Sequence, residues 1–144
     1  MFAKDVKDGI VRNGVYPRNE LTFNLKDRIS SNGQVLELNS AKGVHGERMF
    51  AIDKNGNVFI GKRAPNSETR MPHPTLIGGK DPEVLAAGMI QFSKGRIVAV
   101  NNASGHFKPN ASTLNTAEDI LRNLLPSNSF SPKFKGFIPV EGSF

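Results

Sequence analysis

Two pairs of apolar runs, each closed by a glycine-bearing turn, constrain this chain more than any other feature. Met49-Phe50-Ala51-Ile52 and Asn57-Val58-Phe59-Ile60 flank Asp53-Lys54-Asn55-Gly56. Met89-Ile90-Gln91-Phe92 and Arg96-Ile97-Val98-Ala99-Val100 flank Lys94-Gly95. Runs of strand length separated by such turns read as β-hairpins, with Gly supplying the positive φ that a tight reversal needs. Around the second hairpin lie two histidine-bearing loops, His73-Pro74-Thr75-Leu76-Ile77-Gly78-Gly79 and Asn101-Asn102-Ala103-Ser104-Gly105-His106-Phe107-Lys108-Pro109. Pro72 and Pro74 bracket His73 and hold its backbone extended.

Residues 1–45 are hard to read. Leu21, Phe23 and Leu25 alternate as in a short strand, although Asn24 to Ile29 could instead open a helical turn. Ser30-Ser31-Asn32-Gly33 is a turn, and Val35-Leu36-Glu37-Leu38 is expected to be a short strand. Asp81-Pro82-Glu83 could start one helical turn through Leu85-Ala86-Ala87. The one firm helix is C-terminal. Leu114, Ala117, Ile120, Leu121, Leu124 and Leu125 form an apolar stripe, with Asn115 as expected N-cap, Glu118 three residues on, and Pro126 as terminator. One more edge strand is expected near Gly136 to Val140. The fold expected is α+β: a small, mainly antiparallel sheet of hairpins with an amphipathic helix packed on it. At 144 residues this is a single domain.

Composition narrows the chemistry. With Cys 0, there is no disulfide, thiolate metal site or cysteine nucleophile. A formal charge of +6 favours an anionic partner such as a nucleic acid, nucleotide, acidic protein or lipid surface. No apolar run is long enough for a membrane span, and the opening residues show no signal-peptide core. Three dispersed histidines give no zinc pattern, so no metal is expected. Asp53-x-Asn55-x-Asn57 looks like a calcium loop only in passing and reads better as a hairpin turn. Gly78-Gly79 lacks the lysine–hydroxyl sequence of a phosphate-binding loop, and no Gly-x-Ser-x-Gly is present.

The second hairpin would return its two ends to the same place, and with them His73 and His106. A histidine pair can supply a general base and a general acid in one turnover. Lys108 would share a face with His106 if the segment is extended, and its ammonium could stabilise a developing anion. Thr75, Ser104 and Arg96 are the candidate substrate-binding residues, the hydroxyls being suited to a phosphate or a ribose. This is the equipment of a metal-independent ribonuclease, in which the RNA's own 2′-hydroxyl is the nucleophile. The plainer reading of each histidine is a hydrogen-bonded packing residue, and it is strongest for the isolated His45.

The order of these segments, from Met49-Phe50 through the His-Pro-Thr loop and Ala87-Gly88 to Ser104-Gly105-His106-Phe107-x-Pro109 and a Leu-rich helix, resembles a known module. It is similar to C-terminal toxin domains of bacterial polymorphic toxins, of the Rhs and contact-dependent-inhibition types. It also resembles the C-terminal region of plant calmodulin-binding proteins with a single IQ motif. The likeness covers residues 47–125. This chain has Pro74-Thr75 where Ser-Ser would stand and Phe107 where Tyr is usual, so the phenolic hydroxyl is absent. The resemblance implies a toxin tip released from a larger secreted chain, acting in the target-cell cytoplasm and neutralised by a cognate immunity protein. It leaves three functions open. One is the ribonuclease, with RNA or a nucleotide as substrate. Another is an ADP-ribosyltransferase-like toxin, with NAD as cofactor and Glu83, Glu118 or Glu141 as candidate acid. The third is a noncatalytic binding module.

Overall fold

The computed structural model describes residues 22–38, 40–61, 84–103 and 112–139. These form a six-stranded, mostly antiparallel sheet with one α-helix among the described residues. The strands are β1 (Phe23–Asn24), β2 (Gly46–Asp53), β3 (Val58–Gly61), β4 (Val84–Ser93), β5 (Arg96–Asn101) and β6 (Phe137–Ile138). The helix, α1 (Ser112–Leu124), precedes β6. The order across the sheet is β1-β3-β2-β4-β5-β6, and only β5–β6 is parallel. This is the α+β architecture expected from the sequence.

Both hairpins are present. In β2–β3, Gly56 takes φ 83 and the Asp53 carboxylate accepts from the Asn55 and Asn57 backbone amides, each at 2.9 Å. The carboxylate is therefore used to hold the turn. In β4–β5, Ser93 pairs with Arg96 across a two-residue loop in which both Lys94 (φ 49) and Gly95 (φ 82) are left-handed. That turn twists in the sense the flanking strands need.

The hairpins join through β2 and β4, whose register runs from Gly46 opposite Phe92 to Asp53 opposite Val84. Period-two alternation then sorts the side chains, with a bulge in β5 between Ile97 and Ala99 that lets Ile97 and Val100 share a face. Phe50, Ile52, Ala86, Ile90, Phe92, Ile97 and Val100 form the main core on one face together with Val58, Ile60 and Phe23. Leu114, Ala117 and Leu121 of α1 close that core. Met49 and Ala51, fully buried, face the other way and pack with Phe59, Val84 and Met89.

Three local expectations change. Val84 to Ala87 is strand, not the helical turn expected there, because pairing of Ala86 with Ile52 and Ala87 with Ala51 outweighs the helix propensity of Leu-Ala-Ala. The helix starts at Ser112, so Asn115 lies inside it rather than at its cap, and Leu114, the first residue of the apolar stripe, is buried in the core a turn ahead of Ala117. Val35 to Leu38 is not a strand, and Val35 and Leu36 make only isolated bridges to Ile29 and Gly43. The edge strand expected near Gly136 to Val140 is present, as Phe137 and Ile138 paired with Val100 and Asn101.

Gly88 permits the passage from β5 towards the helix. A Cβ on it would collide with the Asn101 carbonyl oxygen and sit 2.9 Å from Asn102 Cα. The C-terminal segment is fixed by packing with α1. Phe130, Phe134 and Phe137 meet edge-on, with centroids 5.0 Å (Phe130–Phe134) and 5.5 Å (Phe134–Phe137) apart. The Arg122 guanidinium lies 5.2, 6.0 and 5.4 Å from the three rings, and its Nε donates to Glu118 at 2.8 Å.

Gly88→Ala is expected to destabilise the domain by about 3 kcal/mol, since the clash is with backbone that cannot yield cheaply. Gly56→Ala, at positive φ but with nothing within 4 Å, is expected to cost about 1 kcal/mol. Urea unfolding compares the two; equal losses would contradict a close crossing at Gly88.

Candidate functional site

The candidate site is defined by where its flanking residues are fixed. Met49 pairs with both Gly61 and Met89, and Met89 pairs with Asn101. These four residues form one row across β3, β2, β4 and β5, about 15 Å from end to end at ordinary strand spacing. Gly61 begins the segment that carries His73, and Val84 receives it. Asn101 begins the segment that carries His106, and Ser112 receives it. The stretch from Asn101 to His106 spans at most about 18 Å, and that from Gly61 to His73 at most about 40 Å. Chain length thus allows the two imidazoles to meet beyond the open end of β4–β5.

His73, Thr75, Ser104, His106 and Lys108 themselves lie outside the described residues, as do Glu83 and Glu141. Arg96 is described, at the turn end of β5, the end opposite Asn101. Its guanidinium donates to the Asn128 carbonyl and, at 3.4 Å, to that of Asn32. Asn128 Nδ2 donates to the same Asn32 carbonyl at 3.0 Å, and the fully buried Ser129 hydroxyl donates to the Gly33 carbonyl at 2.7 Å. Arg96 therefore ties the 30–33 turn to the segment after α1. Sequence reasoning did not find this role, because its acceptors are backbone carbonyls contributed by two distant segments.

Anchoring near the open end is also polar. Asn101 Oδ1 accepts from the Met89 amide at 3.2 Å and from the Ala103 amide at 2.9 Å. Asn101 thereby fixes the first turn of chain leaving β5. Asn102, next to it, is buried. The remaining histidine, His45, is exposed, and its Nδ1 accepts from the Lys94 amide at 3.3 Å.

Glu118 is committed to Arg122, and Glu37 accepts from Arg48 at 2.7 Å. Arg28 donates to the Glu37 and Ser40 carbonyls. Among the described residues no cluster of three or more His, Asp or Glu is placed to hold a metal ion. No helix among them is long and apolar enough to cross a membrane. No family model, curated protein or solved structure matches the chain.

Arg96→Ala is expected to lower stability by about 1–2 kcal/mol through loss of charge-assisted bonds to the two carbonyls. The check is chemical denaturation alongside an assay of RNA cleavage. Unchanged stability with reduced substrate affinity would instead return Arg96 to a binding role.

Proposed function

We propose that the domain is a metal-independent ribonuclease, the toxic tip of a larger exported chain. The observation that supports this reading is the row Gly61, Met49, Met89 and Asn101, from whose two ends the segments carrying His73 and His106 depart, both away from the Lys94-Gly95 turn. One histidine takes the proton of a ribose 2′-hydroxyl as its oxygen attacks the adjacent phosphorus. The other gives a proton to the departing 5′-oxygen as the P–O5′ bond breaks. The products are a 2′,3′-cyclic phosphate and a free 5′-hydroxyl. Lys108 stabilises the extra negative charge on the phosphorane, and Thr75 and Ser104 position the phosphate or ribose. The formal charge of +6 draws the polyanion in. A cognate immunity protein would neutralise the domain in the producing cell, and the target-cell cytoplasm would be where it acts.

An ADP-ribosyl transfer using NAD needs a free carboxylate; Glu118, one of its candidates, is ion-paired to Arg122, which leaves Glu83 and Glu141 for that role. Consumption of NAD by the purified domain would favour that transfer over the ribonuclease.

In EDTA the purified domain is expected to cleave RNA, with a bell-shaped dependence on pH that reports one base and one acid. His73→Ala and His106→Ala are each expected to lose about a hundredfold or more in rate while keeping the circular dichroism of the parent. RNA left intact by the parent protein would end the proposal.

A further inference from the structure

The exposed lysines of the described residues are unevenly distributed. Lys42 and Lys94 are brought together at the β4–β5 turn, where Gly95 N donates to the Val44 carbonyl at 2.7 Å and Lys94 N donates to His45. Lys133 and Lys135 continue the same edge. Ser131 N donates to the Ile97 carbonyl at 2.8 Å and Lys135 N to the Val98 carbonyl at 2.7 Å. The segment therefore runs alongside β5. Its Phe130, Phe134 and Phe137 turn inward around Arg122, and the lysines between them are exposed. None of these four lysines makes an ion pair with a described carboxylate.

One carboxylate is close, since the Glu37 amide donates to the Lys42 carbonyl at 2.8 Å, but its side chain is engaged. Glu37 is held by Arg48 and Glu118 by Arg122. Asp53 is spent on the other hairpin turn, opposite the first residue of β4. Asp27 sits on the 3-10 turn after β1, at the far edge of the sheet, and Asp119 on α1. Glu47 is on β2, paired with Gln91.

Lys94 stands at the exposed tip of the turn. It is the one described non-glycine residue at positive φ. An L side chain there costs about 1–2 kcal/mol, and Asn or Gly is the ordinary occupant.

We infer that this lysine edge, from the β4–β5 turn along β5 to Val98, is a docking track for the phosphate backbone of single-stranded RNA. The choice of RNA rests on the ribonuclease reading. The track points along β5 towards Asn101, where the His106 segment departs, so a bound strand is led from the turn towards the proposed site of cleavage. Its length, from Lys94 to the level of Val98, is about 13 Å, enough for about two nucleotides. Two other polyanions fit less well. A lipid surface calls for apolar insertion, and the exposed large apolar residues described are only Leu85, on β4, and Ile138. An acidic protein calls for aromatic anchors, and here the phenylalanines are turned towards Arg122.

The test is fluorescence anisotropy of the whole chain with a labelled oligouridylate whose 2′-hydroxyls are all O-methylated. This probe cannot be cleaved, so binding is read apart from catalysis. Lys133→Glu/Lys135→Glu and Lys42→Glu/Lys94→Glu are each expected to weaken binding about tenfold or more. Each is also expected to flatten the slope of log K against log salt by about 1.4, the value for two lost contacts on a single strand. Lys26→Glu/Lys54→Glu, with the same charge change at the opposite edge and end of the sheet, is expected to change affinity less than twofold. Equal weakening by all three pairs would mean net charge alone and would overturn the track. So would failure of the parent to bind the probe, or tighter binding to anionic vesicles or a polyglutamate peptide. Patch-dependent binding without cleavage of ordinary RNA would uphold the track and overturn the ribonuclease; cleavage indifferent to the lysine pairs would do the reverse.

Discussion

The pairing of β2 with β4 is the constraint on which the remaining structure depends. Each hairpin can form from local chain reversal, but an isolated hairpin is marginal in water. Laying Met49 to Ile52 against Met89 to Ala86 merges two hairpins into one sheet and gives both central strands neighbours on each side. It also aligns the alternation of four strands, so that Phe50, Ile60, Ile90 and Val100 reach one core while Met49, Ala51 and Met89 face away. A one-residue slip would exchange the two faces and send the aromatic and branched side chains away from α1. Gly88, on β4 between these rows, then admits the backbone leaving β5 at a separation no larger residue would allow.

Around that sheet, charge and aromaticity are divided between two sides of one segment. After α1, the chain places three phenylalanines against Arg122 and returns alongside β5 with its lysines outward. The inward groups fix the segment, and fixing it is what gives the outward cations defined positions. Arg96 reinforces the same junction by joining carbonyls of Asn32 and Asn128. A cation that looks available in the sequence is here a structural tie, while Lys94, inside an ordinary-looking turn, is the exposed one. Net charge of a chain says nothing of this division, because it depends on which backbone carbonyls and rings come within reach after folding.

The hairpins were legible because their signals are local: alternation, a two-residue Lys94-Gly95 loop, and an Asp53 carboxylate able to cap its own turn. The helix was legible through its apolar stripe, although its start was not, since the burial of Leu114 is set by the sheet beneath it. Leu85-Ala86-Ala87 reads as helical in isolation and becomes strand only because β2 offers it partners from far away in the chain. For the candidate site, the sequence supplied residue types and order; the structure supplied the row Gly61, Met49, Met89, Asn101 that tethers both histidine-bearing segments.

By itself, then, the sequence determined what nearest neighbours along the chain can determine: where the backbone reverses, which faces are apolar, and that no thiol chemistry is possible. The tertiary structure alone decided the strand order, the continuation of β4 back to Val84, the engagement of Arg96 and Arg122, and the gathering of Lys42, Lys94, Lys133 and Lys135 along one edge. The reason is that periodicity reports how a side chain faces relative to its own backbone. Which distant backbone it meets is settled by the single register that buries both apolar faces at once.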